Sequence, residues 1–297
     1  MRAVTLFVVL AVPAFVMSAC GGSPGAAPPP APAAPAPPAR IQLRYHPRAG
    51  DHFAEVLDQR TDLKPDSGAE GMPPTAMVVR TFSHDSVLPS SADTVRIRQV
   101  IDSMIPMDTG SGALPGLDRL RNTRGIVGVV SLDDRMVVRN SAFTDRDGNP
   151  SSVTAAMGEG ARQFSAVLPD LAVAPGDTWS ITSTAGLAKM MPGMDSIRIS
   201  MWFRLDSIVV SGTDTSVRIA TRIDFPTAPI NIASGNIRLA MFMTGSLTGA
   251  KWFSVTRGAV TKDSMAGTVH IAATSPLLPN GLRMIMHQQY IRRVERP

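Results

Sequence analysis

Apolar and polar residues alternate along most of the chain after residue 40. In the first half the alternation covers Ala76–Ser86 and Thr94–Ile105, and in the second half it covers Ser196–Val210 and Ser216–Phe225. Turn-forming residues separate the two segments of each pair. Because successive side chains of a strand point to opposite faces, these segments predict long antiparallel hairpins with one buried face.

Shorter segments with the same alternation predict further strands at Ile41–Tyr45, His52–Thr61, Ile126–Leu132, Met136–Phe143, Thr178–Thr184, Ile237–Met243, Lys251–Thr256, Ala259–Ala272 and Met284–Val294. One helix is predicted at about 151–168, with Ser151 or Ser152 as the N-cap and Pro169 as the stop. We therefore predict an all-β fold with one connector helix, an antiparallel barrel or sandwich of about 10–12 strands.

The two halves also share short motifs, which indicates an internal duplication. Gly50-Asp51 corresponds to Gly176-Asp177, and Phe82 through Asp85 corresponds to Phe203 through Asp206. We expect the Gly-Asp motif to turn the chain into the first strand of each half, with Phe53 or Trp179 facing the core.

The duplication divides the folded part into two pseudo-repeats. We place repeat one at about 41–145, the helix at about 151–168 and repeat two at about 170–297, and expect them to form one domain spanning 40–297. Two separate domains, bridged by the helix, are the alternative.

The N-terminal region predicts an exported protein. Arg2 is followed by an apolar run from Ala3 to Val16, which is too short for a spanning helix and is typical of a secretory signal peptide. Cys20, the only cysteine, ends this leader and is followed at 23–39 by a stretch of only Ser, Gly, Ala and Pro. Such a segment is expected to be an extended, disordered tether.

Val16 through Cys20 resembles the bacterial lipobox, in which small residues precede an acylated cysteine. The resemblance implies a signal peptide at 1–19, a lipidated Cys20 and a membrane-anchored tether at 20–39. No aspartate follows Cys20, and by resemblance to Gram-negative lipoproteins this favours the outer membrane, facing the periplasm. The alternative is an ordinary secretion signal with an incidental cysteine.

The pattern as a whole resembles a family of uncharacterised bacterial lipoproteins, which have a lipobox, a low-complexity tether and a β-rich domain. Leu168-Pro169, Pro175 through Trp179 and Gly50-Asp51 carry this resemblance. It implies the fold and the location, and no activity.

Composition and motifs argue against several kinds of chemistry. The net charge is +5, but arginine and aspartate alternate without a basic cluster, so we predict no nucleic-acid partner. The five histidines lack metal-ligand spacing, and Asp145 through Asn149 resembles a calcium loop without its glutamate. Asp85-Ser86 and Asp206-Ser207 are interpreted as exposed strand positions or bulges. We predict no catalytic residue, metal or cofactor.

Methionine and tryptophan provide the candidates for a ligand pocket. Three methionines fall within one loop and all three tryptophans lie in the second half, so the candidates are Met190, Met191, Met194, Trp179, Trp202 and Trp252. Methionine is an adaptable apolar lining. Plain packing and a Cu(I) site formed by the thioethers are the alternatives.

Three functions follow from these observations. We expect a non-enzymatic envelope lipoprotein whose β-domain binds an apolar small molecule, a lipid or another envelope component. The alternatives are a structural or assembly lipoprotein that acts through surface contacts, and an enzyme whose site is scattered in sequence. The membrane, reached through the N-terminal lipid, is the expected partner.

Lipidation at Cys20 can be tested directly. Because the acyl chains would be the membrane attachment, Cys20→Ala should move the protein from the membrane fraction to the soluble fraction. Cell fractionation followed by immunoblotting measures the change. Membrane retention equal to that of the unsubstituted protein would contradict lipidation at Cys20.

Overall fold

The computed structural model describes residues 39–67, 73–91, 93–107, 123–163, 167–186, 196–226, 229–234, 237–276 and 278–295. The predicted signal peptide, Cys20 and nearly all of the tether lie outside these residues, as does the loop that contains Met190, Met191 and Met194.

The described residues form twelve strands and one helix, which confirms the all-β prediction with a single connector helix. The first half contains β1 (His52–Ser67), β2 (Thr75–Leu88), β3 (Val95–Pro106), β4 (Val127–Leu132) and β5 (Val138–Thr144). Helix α1 (Ser152–Gln163) follows. The second half contains β6 (Thr178–Gly186), β7 (Ser196–Ser211), β8 (Asp214–Phe225), β9 (Ile230–Ser234), β10 (Ile237–Ser254), β11 (Ala259–Ser275) and β12 (Leu278–Glu295).

The strands belong to one antiparallel sheet. Its order is β5-β4-β3-β2-β1-β12-β11-β10-β8-β7-β6, and β9 pairs with β10 outside this path. Each half is thus a meander, and β12 joins the halves by pairing with both β1 and β11. The sheet is not a closed barrel, so the barrel shape considered from the sequence is wrong. Helix α1 contacts both end strands, β5 and β6.

Local hydrogen bonds explain where α1 begins and how β1 and β6 start. Ser151 is the N-cap, because its hydroxyl accepts the backbone N–H of Thr154 at 3.2 Å. Before β1, the carboxylate of Asp51 accepts the backbone N–H of Arg48, and before β6 that of Asp177 accepts the N–H of Ala174. Both Gly-Asp turns therefore have the same hydrogen bonds.

Three strand predictions differ from the structure. Ile41 forms only an isolated bridge with Val173, so the predicted strand at 41–45 is an irregular segment. Met136 has a positive φ of 65°, and β5 accordingly begins after it. The two strands predicted at 237–243 and 251–256 are one continuous strand, β10, whose glycines interrupt the alternation of side chains and leave the hydrogen-bond ladder intact.

One face of the sheet is buried. Phe53, Leu205, Val217, Phe253 and Val269 come from strands in different parts of the sheet, and all belong to a single apolar cluster. The irregular segments that contain Leu43 and Leu168 pack against the same cluster. The sheet must therefore curve, so that strands far apart in its order share one interior.

Glycines on the face of the sheet that carries Leu247, Lys251 and Met265 allow two strands to approach closely. Gly245 and Gly249 lie on β10, and Gly267 lies opposite on β11. At each of the three, an added Cβ would overlap a backbone carbonyl oxygen of the facing strand. Glycine at such a place permits a sharp local bend of the sheet.

Replacement of one of these glycines should destabilise the fold. In Gly249→Ala the new Cβ collides with the carbonyl oxygen of Ser264, and we expect a loss of about 1–3 kcal/mol in the free energy of unfolding. Gly160→Ala is the matched control, because it lies within α1 with nothing within 4 Å of the added Cβ. It should stabilise the protein by up to about 1 kcal/mol. Urea unfolding of both variants measures the difference, and equal effects would contradict the close approach.

Candidate functional site

The curved sheet and α1 surround a cavity of about 820 Å³. Strands from both halves contribute to its wall, and α1 contributes Met157, Gly160 and Ala161. The apolar part of the wall includes Phe53, Leu57, Ile97, Val130, Leu132, Met201, Phe203, Ile223, Phe225, Met243, Leu247, Met265 and Met286. The interior of this fold is thus not fully occupied by side chains.

A row of charged side chains crosses this apolar wall. Lys251 on β10 lies directly opposite Asp263 on β11, which in turn lies directly opposite Arg292 on β12. The ammonium of Lys251 is 2.9 Å from the Asp263 carboxylate, and both side chains are 8% exposed. A guanidinium nitrogen of Arg292 lies 3.8 Å from the same carboxylate. Neighbouring strands therefore hold a cation–anion–cation triplet inside the protein.

Two further carboxyl groups extend the row on the other side of Arg292. Glu55 on β1 lies 3.6 Å from the Arg292 guanidinium. Asp85 on β2 is buried, and it hydrogen-bonds both Glu55 and Gln99. We term these five ionisable side chains the interior charge cluster: Glu55, Asp85, Lys251, Asp263 and Arg292.

Burial changes the acidity of this cluster. Burial, reinforced by the negative charge of Glu55, raises the pKa of Asp85 to about 8. Burial also lowers the pKa of Lys251, although the ion pair with Asp263 opposes this shift. Burial disfavours the charged form of Arg292, but the carboxylates of Glu55 and Asp263 outweigh that effect and raise its pKa. At neutral pH Asp85 is therefore mostly protonated, while Lys251 lies against Asp263 and Arg292 lies against Glu55.

Two tyrosines lie beside the interior charge cluster. Burial, together with nearby carboxylates, raises the pKa of both Tyr45 and Tyr290. Tyr290 also hydrogen-bonds Asp263. Both phenols therefore remain neutral and can act as hydrogen-bond groups of the cavity wall.

Two buried polar atoms have no hydrogen-bond partner within the described residues, Oδ1 of Asp85 and Oγ1 of Thr221. Each side chain is 8% exposed, and both line the cavity. An unsatisfied buried polar group costs about 1–3 kcal/mol, and such groups are rare in folded proteins. The two unsatisfied atoms thus lie where a bound molecule could supply their partners.

The predicted pocket residues have different positions. Trp179 packs on the core, stacks on Phe203 with ring centres 5.5 Å apart, and donates its indole N–H to the carbonyl of Val167. Trp202 is 52% exposed. Trp252 lies under the ammonium of Lys262, on the face opposite its neighbour Lys251. None of the three is part of the cavity wall that the described residues form.

Two other features identified in the sequence have structural positions. The side chain of Asp145 closes the turn at 145–149 by accepting the backbone N–H groups of Asp147 and Asn149. The five histidines are all exposed. Within the described part of the chain, no group of three or more histidine, cysteine, aspartate or glutamate side chains could hold a metal ion.

The interior charge cluster was missed by the sequence analysis, and for Asp85 the interpretation was wrong. The sequence predicts an exposed strand position or a bulge for Asp85, whereas its side chain is buried and lines the cavity. Asp206, with the same prediction, does lie at a bulge of β7. The sequence of β2 gives no clear signal, because Asp85 shares its buried face with Ser83 while the opposite face carries Phe82.

Comparison with known proteins adds no identification: no protein-family model matches the chain, and no curated protein is significantly similar to it. In the residues that the structure describes, none of the helical structure is both long enough and apolar enough to cross a membrane.

Asp85 should make stability depend on pH. In the unfolded chain the pKa of this carboxyl is about 4, whereas in the folded protein its pKa is about 8. Between these values the folded state binds more protons, so the free energy of unfolding falls as pH rises, by at most about 1.4 kcal/mol per pH unit.

The isosteric variant Asp85→Asn removes this contribution and leaves the other titrating groups in place. Urea unfolding from about pH 5 to about pH 8 should show the variant gaining stability relative to the unsubstituted protein as pH rises. A difference between the two proteins that does not change with pH would contradict a protonated Asp85.

Proposed function

We propose that the protein is a non-enzymatic, lipid-anchored envelope lipoprotein that binds an apolar or amphiphilic small molecule inside its β-domain. The observation that carries the proposal is the cavity of about 820 Å³ with predominantly apolar walls. Small-molecule sites of proteins have volumes of about 300–1,000 Å³, apolar linings and a few polar groups. This cavity has all three properties.

The cavity favours this function over action through surface contacts alone. A protein that acts only through its surface gains nothing from an unfilled interior, because missing packing contacts cost stability. The two unsatisfied polar atoms in the wall add to that cost. Binding of a ligand would compensate both, since its apolar part would fill the volume and its polar part would pair with the wall.

The proposed location depends on the N-terminal sequence. The leader and Cys20 support lipid attachment, and the Pro-rich stretch after Cys20 would hold the domain away from the bilayer. By its resemblance to Gram-negative lipoproteins the protein would face the periplasm from the outer membrane. A domain in that place has lipids and other amphiphiles nearby.

A second candidate function is acid–base catalysis, and one observation favours it. Glu55 and Asp85 are hydrogen-bonded carboxyl groups in a cavity, and the raised pKa of Asp85 is a property of many catalytic acids. Mass spectrometry distinguishes the two functions. Protein extracted under native conditions should contain an unmodified ligand if it is a carrier. If it is an enzyme, incubation with added substrate should yield a product.

Ligand binding is tested by narrowing the cavity from the helix. Gly160 lies on the same face of α1 as Met157 and Ala161, and an added Cβ meets nothing within 4 Å. Gly160→Phe should therefore place a ring in the cavity without strain and weaken binding of the neutral apolar probe N-phenyl-1-naphthylamine by about tenfold or more. Gly160→Ala should leave the affinity unchanged.

The affinity is measured by fluorescence titration of the full chain carrying Cys20→Ala, so that no detergent competes for the cavity. Circular dichroism and thermal unfolding establish that both Gly160 variants are folded. The proposal is wrong if the probe does not bind, or if Gly160→Phe and Gly160→Ala bind it equally well.

A further inference from the structure

We propose that the polar end of the ligand is a protonated amine, and that this amine binds the carboxylate of Asp85. The inference rests on the proposed function, because it identifies the chemical class of the molecule that the cavity takes. It depends on how the charged groups of the wall are already paired.

The wall carries more acidic than basic groups. Its titratable side chains in the described residues are Tyr45, Glu55, Asp85, Lys251, Asp263, Tyr290 and Arg292. Three of them are carboxyl groups and two are cations, so full ionisation leaves one negative charge without a counter-charge. A positively charged ligand would balance it.

The two cations already have carboxylate partners within the wall. Lys251 is held by Asp263 at 2.9 Å, and Arg292 lies between Glu55 at 3.6 Å and Asp263 at 3.8 Å. A fatty acid or a phosphate group would compete with these carboxylates, and binding to Lys251 would leave the buried Asp263 carboxylate without its closest partner. Loss of one partner from a buried ion pair is strongly destabilising.

Asp85, unlike the two cations, has an atom that can accept a hydrogen bond from a ligand. Among the residues that the structure describes, none hydrogen-bonds its Oδ1 atom, although the side chain is 8% exposed and lines the cavity. A protonated amine would donate to this oxygen and supply the missing positive charge in one contact. Charge-assisted hydrogen bonds of this kind are about twice as strong as neutral ones.

Binding of an amine should also be coupled to loss of a proton. The free cavity holds Asp85 mostly as the neutral acid at pH 7, since burial and Glu55 raise its pKa to about 8. When the ammonium binds, the carboxyl proton passes to solvent and the ligand keeps its own proton. Affinity for an amine should therefore increase from about pH 6 to about pH 9, a range in which alkylammonium groups stay charged.

Three ligands of equal chain length test the proposal, dodecylammonium, dodecanol and dodecanoate. Each is used below its micelle-forming concentration to displace N-phenyl-1-naphthylamine from the full chain carrying Cys20→Ala. We expect dodecylammonium to displace the probe at a concentration about tenfold lower than dodecanoate, with dodecanol between them. Only the dodecylammonium affinity should rise with pH over the range above.

Asp85→Asn should remove the preference, so that dodecylammonium binds no better than dodecanol. Thr221→Val is the matched control, because it removes the other unsatisfied atom of the wall and should keep the preference. The pH profile of the unsubstituted cavity is a second readout that requires no variant to fold.

The outcomes separate the two proposals. Dodecanoate binding as tightly as dodecylammonium, a preference that persists in Asp85→Asn, or a dodecylammonium affinity independent of pH each overturns the amine assignment and leaves the apolar cavity intact. If no ligand displaces the probe, or the probe itself does not bind, the proposed function is overturned as well.

Discussion

The close approach of β10 and β11 is the constraint on which the interior depends. Gly245, Gly249 and Gly267 let the two backbones come together on one face of the sheet, where any larger residue would meet a carbonyl oxygen of the facing strand. This bend turns a flat antiparallel sheet into a curved one whose ends approach α1. In the curved sheet, β1–β5, β7, β8 and β10–β12 all contribute side chains to one cavity.

The same region of the sheet also carries buried charges, whose desolvation costs free energy. Lys251, Asp263 and Arg292 lie side by side on β10, β11 and β12, immediately next to the bend. Desolvation of these charges is only partly repaid by their mutual attraction, and apolar residues of similar volume would be as stable or more so. Stability alone therefore does not account for the interior charge cluster, which lies in the wall of the cavity.

Much of the fold could be predicted from alternation, because most of β7 and β8 and the start of β3 alternate apolar with polar side chains. The positions of the interior charges could not be predicted in this way. On β2 both faces carry polar residues, since Ser83 and Asp85 face inward while Arg80 and His84 face outward, and the pattern does not decide which face is buried.

The same ambiguity affects β10, where the large aromatic Trp252 lies on the face opposite the charged Lys251. Some of the ion pairs in the cluster join strands that are close in sequence, and others join strands that are distant in sequence. Lys251 and Asp263 belong to a hairpin, but Glu55 and Arg292 are 237 positions apart in the numbering. The sequence around Glu55 predicts that it lies in a strand. It does not predict that Arg292 is its partner, because that contact forms only when β12 pairs with β1.

The contact of α1 with both end strands has a consequence for exchange between the interior and its surroundings. A closed barrel can open between strands only by breaking a ladder of backbone hydrogen bonds. Here the junction between β5 and β6 is made by a helix, which is held to β5 through side chains such as Ser141 and Arg162. Separation at this seam would leave every strand pairing of the sheet intact, and would instead break the contacts of α1 and those that Arg135 makes with Leu168 and Asp170.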